Sequence, residues 1–430
     1  MMKTETFDLF YECSGVCTDT RSISKDCLFV CLNGDKFDAN TFALDALKLG
    51  AKYVIVDNPD YELDSRIVLV NDSLTYLQKL ANYHRNKFDI PVIGITGSNG
   101  KTTSKELINA VLSTKYNTLA TIGNLNNHIG VPLTLLRLNR NHEIAIIEMG
   151  ANKPYDIKEL CDIAQPNLGI ITNIGKAHLE GFGSFDGVLK TKKELFDAVN
   201  EANGLIVYNN DDEVLSKNLP NAINRKSYGS AASDYVSGKL IELNPFARLI
   251  WSHESYISPM IETKMIGKYN FYNFLAAITF GVYFNINPEK INEAISKYEP
   301  TNKRSQVVKT AHNTLILDCY NANPTSMKSA VDSFSLIAHS NKLAIIGDML
   351  ELGSESVLEH KKVLELLKEL GIPTITVGPI FQNLPANDTL QCARNVNELA
   401  QFIALNPIKD TLILIKGSRG IGLEALEKVL

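Results

Sequence analysis

The chain has 430 residues, too many for one ordinary domain, so two or three are expected. It is 45% hydrophobic and 21% charged, the balance of a soluble globular protein, and its net charge of −5 presents no global basic surface to a nucleic acid. No apolar stretch is long enough to span a bilayer, and the opening MMKTETFDLFYECSG carries acids where a secretory signal has a basic and then an apolar region. A cytoplasmic protein without a membrane span is therefore expected.

The N-terminal stretch holds two strand-like runs, DCLFVCLNG and AKYVIVDNP, separated by ANTFALDALKLG, whose apolar spacing is helical. Seven cysteines, an odd number without a secretory signal, favour reduced thiols. The spacings Cys13-x3-Cys17 and Cys27-x3-Cys31 resemble paired zinc ligands. Cys27 and Cys31 bracket LFV, however, which reads as a buried strand where free cysteine serves as a small hydrophobe, so core thiols are expected. LTYLQKLANYHRNKF then reads as a helix, with apolar residues at 74, 77, 80 and 81. It closes a small α/β domain over 1–88.

From 89 to 306 short β-branched runs alternate with helical segments: PVIGIT, EIAIIEMG, NLGIITNIG and GLIVYNND. Such runs suit strands buried on both faces of a mostly parallel sheet, which binds ligands beyond the carboxyl ends of its strands. Residues 235–262 look like an antiparallel excursion, and GKYNFYNFLAAITFGVYF is a helix preceded by glycine. A third α/β domain, Rossmann-like and doubly wound, spans 307–430 with strands TLILDCYN, LAIIGDML, PTITVG and TLILIKGS.

The loaded strand ends carry the chemistry. GITGSNGKTTSKEL (94–107) has the order strand, glycine-rich loop, helix start that phosphate binding needs. Backbone N–H groups of Gly97, Ser98, Asn99 and Gly100 approach phosphate oxygens, Lys101 neutralises charge, and a hydroxyl of Thr102 or Thr103 can ligate Mg²⁺. The strict nucleotide-loop spacing fails, because Ile95 stands where glycine is wanted; GSNG alone could be a tight turn. Glu148 ends a buried run and is placed to hold Mg²⁺, against the alternative of a solvated strand end. His178 and Glu180 follow another strand end, and Lys190, Lys192 and Lys193 follow on the next helix, where a solvated basic face is the bland reading. DCYNANPTSMKSA (318–330) combines a helix-start signal with a small-molecule contact set, and Lys416 and Arg419 in KGSRG suit an anionic substrate group.

These motifs resemble the Mur ligases of peptidoglycan synthesis over nearly the whole chain. TGSNGKTT (96–103) is similar to that family's own nucleotide loop, which accounts for Ile95. TDTRSISKDCLFVCLNGDKFDANTF (18–42), GNLNNHIGVPLTLL (123–136), EMGANKPYDI (148–157), AHLEGFGS (177–184), DCYNANPTSM, IIGDMLELG (345–353) and IKGSRG (415–420) match as well. Within the family the chain is most similar to the branch that adds D-alanyl-D-alanine to UDP-N-acetylmuramoyl-tripeptide through an acyl phosphate, with ATP and Mg²⁺.

The resemblance implies roles. Lys101 would hold the ATP phosphates, and Thr102, Glu148 and His178 would ligate two Mg²⁺ sites, with Lys101, Lys192 and His178 as the catalytic set. Lys192 aligns with a lysine that is carbamylated in several members. Asn270 and Asn273 match adenine-side asparagines, Arg304 a linker arginine near the phosphates, and Asp318 a ribose contact. Thr20 and Arg21 fall in the UDP-sugar motif and Asn127 in a substrate motif, while Tyr320, Asn321, Asn323, Lys416 and Arg419 would line the C-terminal part of the active cleft. Two runs depart from the family pattern. Gly267-Lys268-Tyr269-Asn270 stands where Gly-x-His-Asn is usual, and Leu317-Asp318-Cys319-Tyr320 where Asp-Asp-Ser-Tyr is common. A monomer is expected. The competing readings are a sister ligase adding one amino acid, a folylpolyglutamate synthase, a motor or transport ATPase, and a nucleotide-binding regulatory protein without catalysis.

Overall fold

The computed structural model describes residues 5–34, 37–221, 224–384 and 391–430; Asp35 and Lys36 of the N-terminal motif lie outside the described residues. The chain divides into two compact units. One comprises Met1–Gly94, Tyr116–Gly150 and Asp156–Leu168, and the other Ile95–Lys115, Ala151–Tyr155 and Gly169–Leu430.

In the first unit four parallel strands lie in chain order: Val16–Cys17, Leu28–Val30, Tyr53–Val56 and Ile67–Leu69. The first and last are two and three residues long, too short to leave a period in the sequence. Cys27 and Cys31 are fully buried and pack with Phe29, Ala43, Val54 and Val56, the hydrophobe's role expected of them. Parallel neighbours need a crossover, and the helix Ala43–Leu49 supplies one, ending at Gly50 in the left-handed region. The helix Ser73–Arg85 starts where Asp72 accepts the Thr75 N–H at 2.6 Å. It buries Tyr76, Leu77, Leu80 and Ala81, and also Arg85, whose guanidinium donates to the Ala164 and Phe88 carbonyls. The strands Thr118–Ala120 and Ile144–Glu148 pair in parallel in this unit, and the second ends on the Glu148 carboxylate.

The second unit carries Leu205–Asn209 and Arg225–Gly229 in parallel, then the antiparallel excursion Val236–Leu243 and Ala247–His253 foreseen from alternating polarity. The helix Tyr269–Tyr283 is apolar on almost every side and is buried from Phe271 to Gly281 save Tyr272, packing against the helix Lys101–Leu112.

Its second sheet has the order Gln306–Lys309, Thr314–Asp318, Leu412–Lys416, Lys342–Gly347, Thr374–Val377, Gln391–Ala393, antiparallel only at the first pair. Alternate residues of each strand face opposite sides. Ile316, Ile346 and Leu414 pack with Met327, Val331, Phe334 and Leu367 on one face, while Leu315, Leu317, Ile345, Ile413 and Ile415 pack with Leu399, Ile403 and Leu426 on the other. Helices on both faces explain why these strands read as unbroken apolar runs. The central strands end in register, Asp318 opposite Lys416, so their polar tips form one edge. Among the described residues no helix is long and apolar enough to cross a membrane.

Candidate functional site

The loop after Val92–Thr96 is built around glycines that nothing else could replace. Gly97 has φ +142°, and a Cβ there would lie 2.0 Å from Thr172 Oγ1; Gly100 has φ +79°, and its Cβ would meet Asn273 Oδ1 at 2.8 Å. Neighbouring strand ends brace the loop. Ser98 N–H donates to the Asn173 carbonyl and Asn99 N–H to Asn173 Oδ1, both at 3.0 Å, and Thr172 Oγ1 donates to the Asn99 carbonyl at 2.5 Å. Lys101 opens the helix Lys101–Leu112 and folds its ammonium back on the Gly97 carbonyl at 2.7 Å, while Thr102 and Thr103 are buried in the first turn.

From that helix a polar relay runs to the second sheet. Ser104 Oγ donates to Asn273 Oδ1 at 3.0 Å, Asn273 Nδ2 to Asn270 Oδ1 at 2.9 Å, and Asn270 Nδ2 to the Ile266 carbonyl at 2.7 Å. Tyr269, in place of the family's usual histidine, shares a 2.6 Å hydrogen bond with Ser305 Oγ; burial pushes its phenol pKa up, so it stays protonated. Ser305 N–H donates to Asp318 Oδ1 at 3.1 Å, and the almost fully buried Lys416 ammonium donates to Asp318 Oδ2 at 2.6 Å. The expected adenine-side, ribose-side and C-terminal residues therefore meet in one network.

Lys303 and Ser305 both have positive φ, +58° and +54°, and aim Arg304 between them. The Arg304 guanidinium lies 3.8 Å from the centre of the Tyr320 ring and Arg419 5.4 Å from it, two cations against one aromatic. Cys319 is buried beside them with its thiol pKa pushed up to about 12, chiefly by burial, which leaves it unreactive. Asn321 turns its carbonyl back on the Ala322 N–H. Asn323 accepts the Ser326 N–H as a helix cap and donates to Asn99 Oδ1 of the phosphate loop at 2.7 Å. The helix-start reading of that segment therefore holds, and the same side chain also reaches the glycine-rich loop.

His178 sits at φ +51° before a one-turn helix, with Nδ1 2.6 Å from Glu351 Oε2. Burial lowers its pKa; Glu351 opposes that, while Lys101 and Lys192 add to it. On the helix Phe185–Glu201 the buried stripe is Val188, Thr191, Lys192, Leu195, Phe196 and Val199. Lys192 lies in that stripe beneath Phe182, 5.6 Å from its ring centre, whereas Lys190 is exposed and Lys193 pairs with Asp197 at 2.7 Å. Of the three lysines, only Lys192 is inside.

In the first unit Glu148 is 1% exposed; its Oε1 accepts from Asn126 Nδ2 at 2.7 Å, and its backbone N–H donates to Thr121 Oγ1. Asn127 is exposed and caps the helix Gly130–Leu135 through the Gly130 N–H. Thr20 and Arg21 lie on a short 3₁₀ turn, where the Arg21 fork on Asp19 holds that carboxyl down at about 2. Thr102, in the second unit, and Glu148, in the first, each carry oxygen donors of the kind Mg²⁺ takes. Among the described residues no group of three or more His, Cys, Asp or Glu could hold a metal by itself. Residues that the sequence reading left without a role include Thr325, which accepts the Lys176 N–H, and Glu359, which pairs with the Lys176 ammonium at 3.0 Å. No sequence pattern marks either, since their partners lie 149 and 183 positions away.

Comparison with known proteins places this arrangement. Residues 95–281 match the Mur ligase middle domain, and residues 303–419 the domain described as Mur ligase, glutamate ligase domain. A UDP-N-acetylmuramoyl-tripeptide–D-alanyl-D-alanine ligase from Bacillus subtilis is 35% identical over 427 residues, covering 96% of this chain and 92% of its own. The crystal structure of MurF from Acinetobacter baumannii superposes with a TM-score of 0.86 at 30% identity, covering 96% of this chain and 92% of that one. MurF ligase from Thermotoga maritima in complex with ADP gives 0.87 at 26% identity, covering 98% and 97%.

Proposed function

The chain belongs to the Mur ligase family and is an ATP-dependent peptide ligase, and from that premise we propose that it joins D-alanyl-D-alanine to UDP-N-acetylmuramoyl-tripeptide, making the pentapeptide precursor of peptidoglycan. The observation that carries this reading is the hydrogen bond from Asn323, in the YNANP segment, to Asn99 of the phosphate loop. It couples the segment that distinguishes the dipeptide-adding branch to the loop that binds nucleotide.

A carboxylate is a poor electrophile, so the acceptor's terminal carboxylate first takes the γ-phosphoryl group of ATP, giving an acyl phosphate and ADP. The dipeptide amine attacks that carbonyl, phosphate leaves, and the amine gives up a proton as the amide forms. Lys101 and the N–H groups of residues 97–103 hold the phosphates where charge develops. Asn270, Asn273 and Asp318 hold the nucleoside, Arg304 lies toward the phosphates, and Tyr320, Asn321, Asn323, Lys416 and Arg419 orient the incoming groups. Thr102, Glu148 and His178 would hold Mg²⁺, which when bound neutralises charge on the transferring phosphoryl group. Lys192, 2% exposed, is the site for carbamylation, which would turn a buried cation into a carboxylate-like ligand. Thr20, Arg21 and Asn127 serve the UDP-sugar substrate, under a three-domain division 1–88, 89–306 and 307–430, in a cytoplasmic monomer.

The test is phosphate release with ATP, Mg²⁺ and the UDP-tripeptide. Release that requires D-alanyl-D-alanine supports the reading; release with a single amino acid, or none with any acceptor, overturns it.

A further inference from the structure

The mechanism above makes no use of GDMLELG, the segment that follows the strand Lys342–Gly347. Its geometry is nonetheless highly determined. The Met349 N–H donates to His360 Nε2 at 2.9 Å, and His360 is itself fixed by donation from Nδ1 to the Ser356 carbonyl at 2.7 Å. The Leu350 N–H donates to Ser418 Oγ at 2.9 Å. Two successive residues are thus pinned to two different elements, and the next, Glu351, is held at φ +64°, a conformation that side-chain-bearing residues rarely adopt. His178, at the other end of the contact, is also left-handed, at φ +51°. Two strained residues from two different sheet ends, 2.6 Å apart, indicate a contact that the surrounding structure imposes.

We infer that Glu351 is a positioning residue for ligation: its carboxylate fixes His178 in the tautomer that carries the proton on Nδ1 and leaves Nε2 unprotonated. A carboxylate can only accept, so a neutral imidazole facing it must donate Nδ1–H. The remaining nitrogen is then the one able to take a cation or a proton, and a carboxylate behind the ring both orients it and raises its basicity. The Glu351 side chain is 59% exposed, so removing it leaves the core intact. The contact also ties His178 to the second sheet, so the ring is oriented only when that sheet's polar edge is docked as found here. The kinetic half of this inference rests on the dipeptide-ligase reading; the tautomer does not.

The experiment uses the full chain labelled with ¹⁵N-histidine at pH 8, without nucleotide or metal, and a long-range ¹H–¹⁵N correlation spectrum. The His178 signals are identified by their loss in His178→Asn. Wild type and Glu351→Gln, whose amide oxygen still accepts, should show Nε2 as the unprotonated nitrogen, and Glu351→Ala should show a mixture of tautomers. In dipeptide-dependent phosphate release, Glu351→Ala should lower kcat about tenfold with KM for ATP within about twofold, and Glu351→Gln should recover most of that. An unchanged His178 tautomer in Glu351→Ala would overturn the inference, as would a raised KM with wild-type kcat. Wild-type protein inactive with the dipeptide would refute the ligase reading and leave the spectrum to decide on Glu351.

Discussion

The Asp318–Lys416 pair allows the network at the second sheet's edge to be tested by the asymmetry of its two halves. Lys416 has a side chain 2% exposed, and its ammonium bonds Asp318 Oδ2 at 2.6 Å, whereas Asp318 is 16% exposed and its other oxygen is held by the Ser305 N–H. Asp318→Ala therefore strands a buried cation, at a cost of about 3–5 kcal/mol. Lys416→Met keeps the apolar stem and leaves a carboxylate that retains a backbone donor and some water, so the net cost should be only about 1–2 kcal/mol. The double variant should resemble Lys416→Met, because the stranded charge has gone. At a slope of about 2 kcal/mol per molar urea, Asp318→Ala lowers the unfolding midpoint by roughly 2 M and Lys416→Met by less than about 1 M. Urea titration without nucleotide keeps any loss of ligand binding out of the measurement. If Lys416→Met costs as much as Asp318→Ala, or the double variant costs more than either, the burial argument is wrong.

Three further outcomes follow from the same geometry. On the proposed role of Lys101 in holding phosphate, Lys101→Ala should retain the circular dichroism spectrum and lose at least about a hundredfold in turnover; normal ligation would sink the loop assignment. Gly97→Ala should weaken ADP binding by about 2–3 kcal/mol, roughly thirtyfold or more by calorimetry, because its Cβ would meet Thr172 Oγ1 and its φ of +142° is strained for alanine. His360 is fully buried with its pKa lowered first by burial, and its Nε2 must stay unprotonated to accept the Met349 N–H. The unfolded chain thus binds the proton more readily, so this contribution to stability is complete above the unfolded value of about 6.5 and is lost as pH falls through the folded one. His360→Gln should flatten the urea midpoint's dependence on pH below about 6.5, and an unaltered slope would remove His360 from the acid response.

Much of the site was legible because its chemistry stands where buried strands end. The strands ending at Thr96, Glu148, Asp318 and Lys416 are apolar runs closed by a polar residue, and the one ending at Ile171 is followed by Thr172. Which of Lys190, Lys192 and Lys193 is buried was legible too, on a closer count. Val188, Leu195, Phe196 and Val199 define a helical stripe, and Lys192 lies four residues after the first and three before the second. A lysine inside an apolar stripe is the signal, stronger than its place in a basic run.

What could not be read is how the strand ends meet. Asn323 is a helix cap in sequence and a phosphate-loop contact in space, 224 residues from Asn99, and one asparagine serves both because its side chain has an oxygen for the cap and an NH₂ for the loop. Tyr269 likewise finds its partner 36 residues away: the tyrosine hydroxyl reaches Ser305, whose backbone is left-handed, and the Ser305 N–H continues to Asp318. Local propensity opposes that conformation at Ser305, as it does at Lys303, His178 and Glu351. Such positions escape a reading of period and propensity because the force holding them is tertiary. They sit at contacts between strand ends, His178 against Glu351 and Ser305 between Tyr269 and Asp318. Linkers in relaxed conformations could join the same sheets, but they would not hold Arg304 against the Tyr320 ring or His178 against Glu351.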